Sequence, residues 1–438
     1  MGETHTDSRT PPIRLPEEND AIYQEGLKEA VALLHRLAGE KGFWASTVAQ
    51  ANYRRVWGRD SLITGLAALP LGEEALNEAF KQSLRTLARH QGPHGEIPSN
   101  VDPETHEVSY GGTAGRVDAN LWFLVAAGEY WGHTKDDALL EELGEAMERV
   151  WFLLGAWEFN NRGLLYVPET GDWADEYLHE GYILYDQALY HQAGCVMHAK
   201  RRFLEEEEGA EQLLPKLRTL RDMIDSNYWF GDDEEGMKGI YHQQLYNKSK
   251  EAYEYCHNRF WLPFFTPRGY GYRFDALANT LVSLLGLSCD FRADRVDDYI
   301  MEEIWEGSPS LLPAFHPVVC PRDDNWKDLR MTSSFSFKNR PHEYHNGGLW
   351  PMIAGFHVAD LAKRGKTDLA RQVLGALHRA NAAPHEGTPW SFPEYLHGLT
   401  GEPGGTPYLG WSAAAAVMGH FALEGRHLFN TPAPYEYT

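Results

Sequence analysis

The sequence predicts an all-α fold, a ring of helices whose long loops meet at one mouth. Apolar residues recur at three- and four-residue spacing in segment after segment of the 438-residue chain, while two-residue alternation is scarce. Between these segments lie stretches rich in Trp, Tyr, Asp, Arg and Gly. Loops of that chemistry, placed at intervals around a helical body, point to a toroid with a site at one end.

Residues 1–18 are polar and contain Pro, and read as a flexible N-terminal arm; no linker or low-complexity break divides 19–438, which reads as a single domain. The first helix covers 21–37, with Ile22, Leu27, Ala30, Leu33, Leu34 and Leu37 as its apolar positions. Similar patterning recurs at 60–69, 73–91, 118–131, 136–159, 182–207, 211–227, 273–287, 294–306, 347–363, 366–381 and 410–423, about twelve helices in all. Gly163–Pro168 reads as a short hairpin arm. The acidic runs Glu205–Glu208 and Asp232–Glu235 read as solvated helix ends and a loop. The chemically rich connections are Tyr53–Asp60, Gly95–Asn100, Tyr110–Trp122, Gly171–Tyr177, Tyr241–Tyr255, His342–Trp350 and Trp390–Gly398.

The totals narrow the function classes. A hydrophobic content of 43% is ample for a large core. A net charge of −23, from 63 acidic and 40 basic residues, argues against nucleic acid and anionic membranes as partners and suits a neutral or cationic ligand. Cys195, Cys256, Cys289 and Cys320 form no CxxC, so reduced thiols and a cytoplasmic setting are expected rather than a disulfide scaffold or zinc ribbon. No apolar leader and no run of about 18 apolar residues occurs, so neither secretion nor a membrane span is expected. The sequence is compatible with a homo-oligomer. GxSxG, P-loop and strand-led GxGxxG motifs are missing, so acyl transfer, phosphate binding and dinucleotide chemistry lack support, and no cofactor is expected.

Gly171-Asp172-Trp173-Ala174-Asp175-Glu176-Tyr177 puts three carboxylates among aromatic rings in a loop. Ionised carboxylates are costly to bury unpaired, whereas rings that stack on pyranosides and acids that bind hydroxyls suit a sugar site. A carboxyl beside an indole can also be tuned to donate a proton. The alternative is that these acids cap and charge the start of the next helix. Glu394, flanked by Trp390, Phe392, Pro393 and Tyr395, is a second aromatic-flanked carboxylate far along the chain. Asp175 and Glu394 therefore form the candidate pair that glycoside hydrolysis requires, one acid for the leaving oxygen and one for water or direct attack. Around them, Tyr53, Trp57, Arg59 and Asp60 precede one helix, and Arg116 and Asp118 another. Each set reads either as sugar clamp and stacking wall or as helix cap and ion pair. His345, Asn346 and Trp350 supply donors and a ring, and Trp173, Gln187 and Trp390 complete the candidate substrate contacts. His342, Glu343 and His345 lack a distant partner motif, so no metal site is expected.

Several motifs are familiar in combination. VWGRD (56–60), GEIPSN (95–100), VDANLWF (117–123) and GDWADE (171–176) resemble the glucosidase part of glycogen debranching enzymes. GRVD-NLW (115–122), LLPAFHPVV (311–319), YHNGGLWP (344–351) and FPEYLHG (392–398) resemble neutral/alkaline invertases. Both resemblances imply an (α/α)6 barrel of six helical hairpins, covering residues from about 40 to 423. They imply an inverting glycoside hydrolase of a small neutral saccharide, with Asp175 as general acid, Asp172 as the fallback, and Glu394 as general base. Sucrose is the leading substrate and an α-1,6-glucosidic bond the runner-up. A catalytically silent sugar-binding barrel would not need both acids, and a phosphorylase would need a basic or Ser/Gly cluster beside Glu394.

Overall fold

The computed structural model describes residues 18–49, 52–231, 239–253, 259–333 and 336–435. Among them are α1 (Glu18–Leu37), α2 (Asp60–Ala68), α3 (Glu74–Arg89), α4 (Val117–Thr134), α5 (Asp137–Ala156), α6 (Leu184–Phe203), α7 (Glu207–Glu211) and α8 (Leu213–Asn227). They continue as α9 (Gln243–Ala252), α10 (Ala276–Leu284), α11 (Asp290–Tyr299), α12 (Trp326–Met331), α13 (Pro351–Lys363), α14 (Thr367–Asn381) and α15 (Gly410–Leu423).

Twelve of these helices sort by their apolar pattern into two rings. In α13, Pro351 to Leu361 are all buried, and in α15, Gly410 to Gly419 are. A helix apolar on every side must have neighbours on every side. The buried set, α2, α4, α6, α10, α13 and α15, packs each against the next, and α15 returns to α2 to close the ring. The outer set is α1, α3, α5, α8, α11 and α14. In α3 the buried residues Leu76, Ala79, Phe80, Ser83, Leu84 and Leu87 form one stripe. Outer and inner helices alternate along the chain, which makes an (α/α)6 barrel. The inner ring is tight where α13 meets α15: a Cβ on Gly355 would stand 2.5 Å from the Ala415 Cα.

The helices predicted from spacing are all present, with Glu18 opening α1; the remainder of the expected arm lies outside the described residues, as do Asp232–Glu235 and Cys256. Two readings are corrected. Most of Tyr241–Tyr255 is α9 rather than a loop, and Gly163–Pro168 forms no hairpin, only a single bridge from Val167 to Gly181. The strands that do occur are two or three residues long. One such set matters for the site: Val56–Trp57, Asn100–Val101 and Val108–Ser109 pair antiparallel, which sets Trp57 beside Asn100 and Asn100 beside Ser109. No helix among the described residues is long and apolar enough to cross a membrane.

Candidate active site

Four of the six inner helices, α2, α4, α13 and α15, begin at one cavity of about 580 Å3, and the loop before α6 also reaches it. The turns before them deliver Asn52–Asp60, Ser99–Arg116, Trp173–Glu176, Lys338–Trp350 and Glu394, and the first turn of α15 delivers Trp411. Asp60 lies in the first turn of α2, where the partial positive charge of a helix N-terminus favours its carboxylate. Four basic side chains, Arg55, Arg59, Arg116 and Lys338, face four acidic ones, Asp60, Asp175, Glu176 and Glu394, so the lining is formally balanced and suits a neutral ligand.

Asp175 meets the cavity with both oxygens held. Arg116 Nη2 donates to Oδ2 at 3.0 Å, the Tyr344 hydroxyl donates to Oδ1 at 3.3 Å, and His345 Nε2 stands 3.7 Å from Oδ1. Burial pushes this carboxyl up, but His345, Arg116 and Arg59 together outweigh burial and hold it well below the usual carboxylate range. Glu394 is 5% exposed. Its Oε1 accepts from the Tyr53 hydroxyl at 3.0 Å and its Oε2 from the Thr406 amide at 3.0 Å. Here burial prevails over those bonds and raises the carboxyl to about 7. Asp60 is likewise raised by burial, to about 6, against the pull of Arg59.

The loops around Glu394 and Tyr344 are backbone-strained. His342, Tyr344, Trp390, Phe392 and Tyr408 are non-glycine residues at positive φ, between 44° and 69°. Short pairings hold them: Tyr395 opposite Gly404, and Leu396 opposite Leu349. Gly405, at φ 73°, presses on the carboxylate itself; a Cβ there would come within 2.2 Å of Glu394 Oε2. Only glycine leaves Glu394 in place.

Trp173 Nε1 and Trp411 Nε1 are buried without a hydrogen-bond partner, while Arg59 Nε pairs with Asp60 Oδ2 and Lys338 Nζ with Glu176 Oε2, both at 3.7 Å. Rings complete the wall. Trp350 stacks on His345 at 5.0 Å and meets Trp173 edge-on at 5.5 Å, and Arg59 lies 5.6 Å over Trp411.

Tyr53, Trp57, Arg59, Asp60, Arg116, Trp173, Asp175, Trp350 and Glu394 thus line one cavity. Six other candidates do not. Asp118 is fully buried and accepts from Arg59 at 3.0 Å, so it orients that guanidinium. Asp172 is also fully buried, with Oδ2 2.6 Å from His179 Nδ1, and does not line the cavity. His345 backs Asp175 and is 1% exposed. Gln187 pairs with the amide and carbonyl of Leu165, both at 2.9 Å. Asn346 pairs with the amide and carbonyl of Val319 at 2.7 and 2.9 Å. Trp390 donates to Glu25 at 3.4 Å. Tyr344, Trp411 and Lys338 line the cavity and were not among the candidates. Tyr344 opens the YHNGGLWP motif and could have been found there; Trp411 reads as part of an apolar helix. Among the described residues no group of three or more His, Cys, Asp and Glu side chains is arranged to hold a metal ion.

The sequence profile described as alkaline and neutral invertase matches residues 35–421. The chain belongs to the alkaline and neutral invertase family. It is 24% identical over 418 residues to cytosolic invertase 1 of Oryza sativa subsp. japonica, covering 85% of this chain and 72% of that one. It is 25% identical over 422 residues to probable alkaline/neutral invertase D of Arabidopsis thaliana, covering 85% and 76%. Among solved structures, the GH63 mannosylglycerate hydrolase of Thermus thermophilus in complex with glucose superposes with a TM-score of 0.62 at 16% identity, covering 90% of this chain and 99% of that one. A bacterial glucoamylase complexed with acarbose gives 0.62 at 13% identity, covering 94% and 56%. Family and fold together make the protein a glycoside hydrolase.

Proposed function

We propose that this invertase-family enzyme hydrolyses the α-glucosidic bond of sucrose with inversion, Asp175 protonating the leaving oxygen and Glu394 activating water. The observation that carries the reading is the charge-balanced cavity that joins both carboxyls to a wall of Trp and Tyr rings and polar side chains. The relatives named invertases support sucrose. The VWGRD motif keeps an α-1,6-glucosidase as the second reading. A screen of sucrose, isomaltose and panose separates them: sucrose is hydrolysed and the α-1,6 substrates are not, and faster glucose release from isomaltose or panose reverses the order. A cytoplasmic setting is supported by the name of the rice relative and by the free thiols of Cys195, Cys289 and Cys320.

The pair of carboxyls must carry one proton in total. In the empty site that proton rests on Glu394, at about 7, because Asp175 is held low. That proton must therefore pass from Glu394 to Asp175 as a neutral sugar fills the cavity, which deepens the burial that already pushes Asp175 upward and frees Glu394 to act on water. Above about 7 the proton is gone from the free enzyme, so kcat/KM on sucrose falls as pH rises through that value. Initial rates from pH 5 to 9 check this; a rise through pH 7 means that the free enzyme holds its proton on Asp175 instead.

A further inference from the structure

A second cavity, of about 420 Å3, lies beside the first. The turn 109–116 divides them. Ser109, Gly111 and Gly112 line the catalytic cavity, Tyr110, Ala114 and Gly115 line the second, and Arg116 lines both. The wall is aromatic: Trp157, Phe159 and Tyr166 join Tyr110, with the Phe159 and Tyr166 rings 5.8 Å apart. Tyr110 is 39% exposed and Phe159 69%, although large apolar rings left open to water are disfavoured. One donor is unused: Arg116 Nε is buried without a partner, while Nη1 serves the Gly115 and Thr170 carbonyls at 3.0 and 2.6 Å and Nη2 serves Asp175. Glu96 adds a carboxylate, one oxygen of which accepts from the His94 amide at 3.0 Å.

This set selects a ligand class. A phosphate or carboxylate ligand seeks the paired donors of a guanidinium fork, and both Nη atoms are already taken. A purely apolar ligand would cover the Glu96 carboxylate without giving it a donor. A neutral sugar ring suits this lining: its C–H face covers the aromatic rings and a hydroxyl donates to Glu96. The volume lies in the range of small-ligand pockets, about 300–1,000 Å3.

We propose that this cavity is a second saccharide-binding site, separate from the catalytic one and sharing Arg116 as a wall. It rests on the glycosidase reading only for the choice of sucrose as probe. The test is calorimetric titration of sucrose into Glu394→Gln, a variant altered only at the catalytic cavity. Two sets of sites are expected. Adding Ala114→Phe, which fills the second cavity, or Tyr166→Ala, which removes a ring, should abolish one set and leave the other, and the surviving set shows that the protein is folded. A single set in Glu394→Gln that Ala114→Phe and Tyr166→Ala leave unchanged, or two sets that survive both additions, overturns the inference. A single set that both additions abolish upholds it and instead counts against sucrose as the catalytic substrate. If no set is seen at all, this cavity does not bind sucrose and the inference fails.

Discussion

Asp175→Asn should lower kcat on sucrose by roughly 10²–10⁴-fold and leave hydrolysis of α-glucosyl fluoride near the wild-type rate. The fructosyl oxygen leaves only when protonated, whereas fluoride leaves without a proton. An amide at this position still accepts from Arg116, so the loop that holds it at 3.0 Å is retained and the loss is chemical rather than structural. The low-lying Asp175 and raised Glu394 of the empty site also favour a specific rival, in which the roles are exchanged. In that case Asp175→Asn would fail on both substrates, and Glu394→Gln would be the variant that spares the fluoride.

Glu394→Ala should be inactive on sucrose and on α-glucosyl fluoride alike, because each needs an activated water. Azide should restore turnover of the fluoride by entering the vacated space, with β-glucosyl azide as the product. No rescue, together with retained fluoride activity, would remove Glu394 from the role of base. Glu394→Gln supplies a thermodynamic check. A carboxyl raised from 4.5 to about 7 adds stability in full below pH 4.5 and loses it as pH rises through 7. At pH 8 the wild type therefore carries a penalty of about 3 kcal/mol that the amide does not. The Tm of Glu394→Gln should exceed that of wild type at pH 8 and match it near pH 4.5; equal values at both would show that Glu394 is not raised.

The helical ring was legible because its helices are long enough for the 3.6-residue period to show. α9, QQLYNKSKEA, was not, because it buries little beyond Tyr246 and Ser249. Strands of two or three residues carry no readable alternation, yet one trio of them sets Trp57, Asn100 and Ser109 side by side at the cavity. Within the site, the motifs located the loops but not the direction of each side chain. Gln187 and Asn346 are polar because they satisfy the backbone at Leu165 and Val319, and in sequence such residues look the same as ligand contacts. Asp172 and Asp175 lie in one loop, and only the fold shows that the first turns inward to His179 and the second to the cavity. Trp411 escaped notice for the opposite reason, since its helix is apolar enough to hide a lining residue.

In the proposed mechanism water is activated at Glu394 while the leaving oxygen is protonated by Asp175 on the other side of the sugar. Water then enters from the face opposite the departing group, and the anomeric centre inverts. Proton NMR of a fresh sucrose digest, read before mutarotation mixes the anomers, tests this directly. β-Glucose is the expected first product. The appearance of α-glucose first would contradict the mechanism, and would require a covalent intermediate on a carboxylate pair only about 5 Å apart.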